Sequence, residues 1–223
     1  LGHRRLSIID LSDDGRQPMK SATSHNVISY NGEIYNYKEL AKMLRDKGHM
    51  LRTKTDTEVI LKLYDVYGTD CLEYLRGMFA FSIWDEERNR LFLARDRIGI
   101  KPLYYLKSTE RIVFGSEIKA IVASGFSDMN VDAGAICGYL RFLVIPQPQT
   151  VFSDIHKLEP GTYMLVSDNG GSQTHTYWNS KDYLYDGKKR NESEYLSNLD
   201  ELLNESIRYH MVADVPVSAF LSG

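Results

Sequence analysis

The chain has 223 residues, of which 43% are hydrophobic and 26% are charged. This balance is typical of a globular protein with one complete core, or with one core and part of another, and it argues against disorder. The formal net charge is −3 with both signs interspersed, and the apolar runs are strand-length. We therefore expect neither nucleic acid nor a membrane among its partners.

Cysteine and histidine usage argues against a metal centre. Cys71 and Cys137 are too few for a disulfide framework or a four-ligand site, and the six histidines show no ligand spacing. Both cysteines fall in helical segments with apolar neighbours, so we interpret both as buried, inert thiols. The sequence opens with no secretory signal, and a cytoplasmic location is the expectation.

The first elements in chain order are two strands and two helices. Residues 6–9 and 26–30 read as strands, and the dipeptide 31–32, Asn-Gly, is expected to turn the chain sharply at the end of the second. One helix begins near Asn36, which we interpret as its cap, and ends at Gly48. The next begins at Thr55 with Glu58 three residues later, as in a capping box. Its apolar face is formed by Val59, Ile60, Leu63 and Tyr64.

The rest of the sequence alternates strand and helix patterns. Strands are predicted over residues 78–84, 91–95, 103–106, 111–115, 162–166 and 173–178, and helices over 116–124 and 133–143. A polar stretch, 179–189, reads as a linker. A helix then opens near Asn191, and a short strand is predicted over 215–221. The side chains expected to face a core from this last helix are Tyr195, Leu199, Leu202, Leu203 and Ile207. Two groups of strands with helices around them predict a layered α/β architecture of the α+β type.

Seven segments, in this order, resemble the class II glutamine amidotransferase domain of asparagine synthetases. They are residues 4–10, 31–36, 55–60, 77–81, 95–105, 116–120 and, near the end, 214–216 with 221–223. The resemblance implies an N-terminal-nucleophile hydrolase αββα sandwich over 1–180. It implies that 181–223 are a linker and the start of an adenine-nucleotide α-hydrolase-like, ATP-dependent synthetase domain.

The Asn31-Gly32 pair is the candidate oxyanion hole. A side-chain amide and a backbone N–H at a glycine can together stabilise the oxyanion that forms when a nucleophile attacks an amide carbon. The resemblance assigns this role to these two positions. The alternative is an ordinary hairpin turn, for which Asn-Gly is a common dipeptide.

The resemblance also implies a glutamine-binding set. Arg5 would grip the α-carboxylate through paired hydrogen bonds, with backbone contacts from Leu6 and Ile9. Glu33 and Asp56 would hold the α-ammonium. The alternative for Asp56 is an acid in the first turn of a helix, favoured there by the helix dipole; for Glu33 it is a solvated acid in a loop.

Other parts of the resembled enzyme are expected outside residues 1–223. Its nucleophile is an N-terminal cysteine, which this chain lacks, so the chain alone is predicted to be inactive. Leu221, Ser222 and Gly223 match the start of a loop that holds the phosphates of ATP. ATP, Mg²⁺ and aspartate are thus expected to bind mainly beyond Gly223. A homodimer is a possible assembly of the full-length protein.

Two alternatives remain open at this point. Related amidotransferases act on sugar or peptide carboxylates, and the acceptor pocket lies beyond Gly223. A chain without its nucleophile could also be a non-catalytic glutaminase-like module.

Overall fold

The computed structural model describes residues 1–4, 9–10, 12–183 and 191–218. Its strands are β1 (Met19–Lys20), β2 (Val27–Ile34), β3 (Gly77–Asp85), β4 (Arg90–Arg95), β5 (Tyr104–Lys107), β6 (Ile112–Gly115), β7 (Ile155–Lys157), β8 (Thr162–Ser167) and β9 (Ser172–Thr176). Its α-helices are α1 (Tyr37–Asp46), α2 (Asp56–Tyr67), α3 (Cys71–Tyr74), α4 (Ile118–Ala123), α5 (Ala133–Phe142) and α6 (Glu192–His210). Short 3₁₀ turns lie at Asp13–Gly15, Gly68–Asp70 and Ser180–Tyr183.

The strands form two antiparallel sheets. The larger has the order β1-β2-β3-β4-β8-β9 and the smaller has the order β6-β5-β7. Apolar side chains of both sheets, including Leu93 and Met164 of the larger and Tyr105 of the smaller, form one core cluster between them. Helices α1 and α2 pack on the outer face of the large sheet, and α4 packs on the small sheet. The layers are therefore helix, sheet, sheet and helix, in agreement with the predicted α+β sandwich.

Helix α2 starts where the Thr55–Glu58 capping pattern predicted. The Thr55 hydroxyl accepts a hydrogen bond from Glu58 N at 3.2 Å, which satisfies one backbone donor of the first turn. The Glu58 carboxylate in turn accepts from Thr53 N at 2.6 Å and from Arg52 N at 2.9 Å. This double cap fixes Asp56 as the first residue of the helix.

The predicted turn at Asn31-Gly32 is wrong. Strand β2 runs through both residues, which pair with Ala80 and Phe79 of β3. Long-range pairing with β3 outweighs the local preference of Asn-Gly for a turn, and the chain leaves the strand only after Ile34.

Asn36 occupies the N-cap position of α1, but its side chain does not cap the helix. It donates to Tyr74 O at 2.9 Å and accepts from Arg76 N at 3.0 Å. The Asn36 side chain therefore binds the segment that leads into β3 and does not cap α1. This orientation of the side chain supplies hydrogen-bond partners to the Tyr74 carbonyl and the Arg76 N–H.

The predictions for residues 179–223 are confirmed only in part. Asn191 caps α6 by accepting from Ser193 N, as expected of a helix start here. The five side chains predicted to face a core are all exposed, from 43% for Tyr195 to 63% for Leu202, because no described residue covers that face. Residues 215–218 form no strand, and 219–223 lie outside the described residues. The predicted linker begins with the 3₁₀ turn, and its residues 184–189 are likewise undescribed.

Candidate active site

A cleft of about 540 Å³ opens at the edge of the large sheet, where β2 faces the end of β6. Ile9, Asn31, Gly32, Glu33 and Asp56 all line it. These are all the predicted glutamine-site residues that the structure describes. Arg5 and Leu6 lie outside the described residues, as do Leu221, Ser222 and Gly223 of the predicted ATP loop.

The outer edge of β2 presents backbone donors to the cleft. Strand β1 pairs with Val27 and Ile28, and beyond them no described strand covers this edge of β2. Tyr30 N donates to the Gln17 Oε1 atom at 2.6 Å, and Ile34 N donates to Asp56 Oδ2 at 3.1 Å. Both N–H groups therefore point away from β3. Gly32 lies between these two residues.

The Gly32 N–H points the same way. Its partner across the ladder is Phe79, whose N–H donates to Asp96 Oδ2 and whose carbonyl accepts from Asp96 N. Both backbone groups of Phe79 are thus directed away from Gly32, which makes this a pair without mutual hydrogen bonds. The Gly32 N–H therefore points outward between those of Tyr30 and Ile34, and no acceptor for it lies among the described residues.

Only glycine fits at position 32. A Cβ atom there would collide with the Met78 carbonyl oxygen and lie 2.8 Å from both Phe79 Cα and the Tyr30 Cε2 atom. The strands approach so closely that any side chain would push β2 away from β3. The requirement for glycine comes from this approach and not from a turn.

Asn31 extends from the same strand, and its side chain reaches the small sheet. Its Nδ2 atom lies 3.5 Å from the Ser116 hydroxyl, which follows β6 and also lines the cleft. An amide nitrogen has two N–H donors. One is directed to Ser116, and the other remains for a ligand.

Asp56 is 5% exposed and lies at the rim where α2 meets the edge of β2. Its Oδ2 atom accepts from the Tyr30 hydroxyl at 2.8 Å and from Ile34 N. Burial raises the pKa of Asp56, while these hydrogen bonds and backbone N–H groups of the first turn oppose the rise. No described cation forms an ion pair with it. A buried carboxylate without a counter-charge is a site at which a cationic ligand is favoured.

Neither cysteine lines the cleft. Cys71 is fully buried in the core beneath α1 and α2, and burial raises the pKa of its thiol, so it is inert as predicted. Cys137 is exposed on α5, which corrects the prediction of a buried thiol. Helix α5 buries only Ala135 against the fold and leaves Cys137 on its outer side.

A family model described as a glutamine amidotransferase domain matches residues 1–178. The chain belongs to this family. It is 37% identical over 222 residues to the protein named asparagine synthetase (glutamine-hydrolyzing) 1 of Bacillus subtilis (strain 168), with 100% of the chain and 34% of that protein covered. It is 36% identical over 227 residues to the protein named amidase chry2 of Gibberella zeae, with 100% of the chain and 33% of that protein covered. The chain thus spans about a third of the length of these two curated relatives.

The fold agrees with this membership. A solved structure named the allosteric regulatory enzyme of purine biosynthesis superposes with a TM-score of 0.55 at 22% identity, covering 78% of the chain and 35% of that structure. The predicted N-terminal-nucleophile hydrolase sandwich is confirmed, and so is the resemblance to the amidotransferase domain of asparagine synthetases. The assignment of residues 181–223 to a second domain stays a prediction.

A buried loop next to the cleft was missed by sequence reasoning. Asp96 is 1% exposed and accepts hydrogen bonds from four backbone N–H groups, those of Phe79, Ile98, Ile100 and Lys101. The Arg95 guanidinium is buried beside it and donates to the carbonyls of residues 99, 101 and 158. Together they fix the segment that carries Lys101 into the cleft. An Arg-Asp pair at the end of a buried strand was the available signal.

No group of three His, Cys, Asp or Glu within the described ranges is placed to hold a metal ion. In the same part of the chain, every helix is too short or too polar to cross a membrane.

Proposed function

We propose that this glutamine amidotransferase domain hydrolyses glutamine to glutamate and ammonia within an asparagine synthetase, where the ammonia is used for ATP-dependent amidation of aspartate. The observation that carries this proposal is one cleft that holds the Asn31 amide, the outward Gly32 N–H and the Asp56 carboxylate, which has no ion-pair partner among the described residues. The 37% identity to a protein named as a glutamine-hydrolyzing asparagine synthetase supports the choice of acceptor.

The polar groups of the cleft suit the polar groups of glutamine. The side-chain carbonyl of glutamine would accept hydrogen bonds from Asn31 Nδ2 and Gly32 N, and both bonds strengthen as that oxygen becomes an oxyanion. Asp56, with Glu33 on the same strand edge, would hold the α-ammonium. The roles of Arg5 for the α-carboxylate and of Leu6 and Ile9 for backbone contacts rest on the resemblance.

The nucleophile must come from outside the described residues, because no described cysteine lines the cleft. A cysteine thiolate would add to the amide carbon, and ammonia would leave after taking up a proton. Water would then hydrolyse the thioester to glutamate and restore the thiol. An N-terminal cysteine is well suited, since its own α-amine can act as the base.

The synthetase half of the reaction rests on the resemblance alone. Leu221, Ser222 and Gly223 would begin the loop that binds ATP, which with Mg²⁺ would activate the aspartate carboxylate. ATP, Mg²⁺ and aspartate are therefore proposed ligands of the full-length protein.

Asn31→Ala in the full-length gene product tests the proposal. Removing one oxyanion donor should lower kcat for glutamine hydrolysis by about 100- to 1,000-fold. Asparagine synthesis from added ammonia should be unchanged, because it does not need this cleft. Asn169→Ala, in the exposed turn between β8 and β9, is the matched control. An Asn31→Ala variant with wild-type glutaminase activity contradicts the proposal, and a full-length protein that binds glutamine without hydrolysing it is a non-catalytic module.

A second candidate keeps the glutaminase and changes the acceptor. The observation that favours this candidate is the 36% identity to a protein named as an amidase. Offering aspartate and other carboxylic acids with ATP and glutamine, and measuring which is amidated, separates the two candidates.

A further inference from the structure

Tyr30 lines the cleft and contacts both Gly32 and Asp56. It lies on β2 with 3% of its surface exposed, and its ring belongs to the core under α1 and α2. Its ring edge packs against the backbone of Gly32, close enough to exclude a Cβ atom there. Its hydroxyl donates to Asp56 Oδ2 at 2.8 Å.

The hydroxyl is the side-chain donor that orients Asp56. Among the described residues, the side-chain and backbone donors to Asp56 Oδ2 are Tyr30 and Ile34 N. Two donors thus engage Oδ2, and backbone N–H groups of the first turn of α2 also bind the carboxylate. Without the hydroxyl, only backbone donors would remain, and the carboxylate would lose the side-chain hydrogen bond that helps to set its orientation.

A backbone contact anchors Tyr30 itself. Its N–H donates to the Gln17 Oε1 atom at 2.6 Å, and the Gln17 Nε2 atom donates to the Thr57 hydroxyl on α2 at 3.3 Å. The strand and the helix start are therefore joined on both sides of the Tyr30–Asp56 bond. These hydrogen bonds tie the start of α2, which carries Asp56, to the strand that carries Gly32.

We infer that Tyr30 is a positioning residue for glutamine, which acts through Asp56 to fix the carboxylate that receives the α-ammonium. The inference rests on the proposed function, because it takes glutamine as the ligand of the cleft. Tyr30 lines the cleft, but its hydroxyl is directed to Asp56, and it has no part in the proposed bond-making steps. We therefore expect it to control KM for glutamine and to leave kcat at saturating glutamine nearly unchanged.

The test is a double-mutant cycle in the full-length gene product with Tyr30→Phe, Asp56→Asn and the double variant. Tyr30→Phe keeps the ring against Gly32 and removes only the hydroxyl, and we expect KM for glutamine to rise about tenfold. In the Asp56→Asn background the same change should add little, because the group through which Tyr30 acts is already altered. Tyr35→Phe is the matched control, since the Tyr35 hydroxyl is buried without a partner.

Each outcome decides between the interpretations. A folded Tyr30→Phe variant with wild-type KM, or one whose effect is equally large with Asp56→Asn present, overturns the positioning role. An equal rise in KM for Tyr35→Phe overturns it as well. If Asp56→Asn itself leaves KM unchanged, the proposed ammonium site fails and the inference fails with it. Thermal unfolding of every variant separates loss of fold from loss of affinity.

Discussion

Replacing Asp56 by asparagine separates its proposed role in binding from a role in the helix. An asparagine oxygen can still accept from the Tyr30 hydroxyl and Ile34 N, so the local hydrogen bonds can persist. The negative charge that would meet the α-ammonium is lost. A hydrogen bond to a charged group contributes about 1.5–3 kcal/mol, which corresponds to a rise in glutamine KM of about tenfold to a hundredfold.

The effect on stability should be small. A first-turn acid interacts favourably with the helix dipole by about 0.3–1 kcal/mol, and this contribution is removed. The 5% exposed carboxylate also carries a desolvation cost when ionised, which asparagine avoids. These changes oppose each other, so the free energy of unfolding should move by less than about 1 kcal/mol.

Steady-state glutaminase kinetics and thermal unfolding of the full-length protein measure both effects. Because burial raises the pKa of Asp56, wild-type KM for glutamine should also rise as the pH falls through that pKa, and the variant should lose this dependence. Asp85→Asn is the matched control: Asp85 is also buried and accepts from a tyrosine, Tyr64, at 2.6 Å, but lies outside the cleft. It should lose stability and keep KM. A wild-type KM in Asp56→Asn would refute the binding role and leave Asp56 as a first-turn acid.

Three further changes test the surroundings of the cleft. Ser116→Ala removes the partner of Asn31 and should lower kcat for glutamine about tenfold while ammonia-dependent synthesis is kept. Gly32→Ala should lower the melting temperature and abolish glutamine hydrolysis, because its Cβ collides with backbone, whereas Gly134→Ala in α5 should be tolerated. Although burial raises the pKa of Asp85, its hydrogen bonds outweigh burial and lower that pKa overall. The stability it contributes is present above its unfolded pKa of about 3.9 and is lost as the pH falls through the lower folded value. In urea titrations, Asp85→Asn should remove this part of the acid destabilisation.

Local sequence signals predicted the helix starts and the hairpin strands well. Thr55 and Glu58 form their cap within one turn, and the apolar run 78–84 became β3 with nearly the same bounds. Such features depend on neighbours within a few residues, so the sequence alone contains the information. The short strands β1 and β7 were missed, because two or three residues carry no period and their pairing depends on distant partners.

The sequence by itself determined the identity of the candidate site residues, since the strings around Asn31, Gly32, Glu33 and Asp56 match a family motif. Only the tertiary structure decided how they could act. The Gly32 N–H points outward because both backbone groups of Phe79, its partner on β3, are hydrogen-bonded to Asp96 instead. Tyr30 and Ser116 likewise belong to the site only through contacts with residues distant in sequence, Asp56 and Asn31. A periodic pattern tells which face of a strand a residue occupies, but the partner it meets there is fixed by packing between segments that the local sequence does not connect.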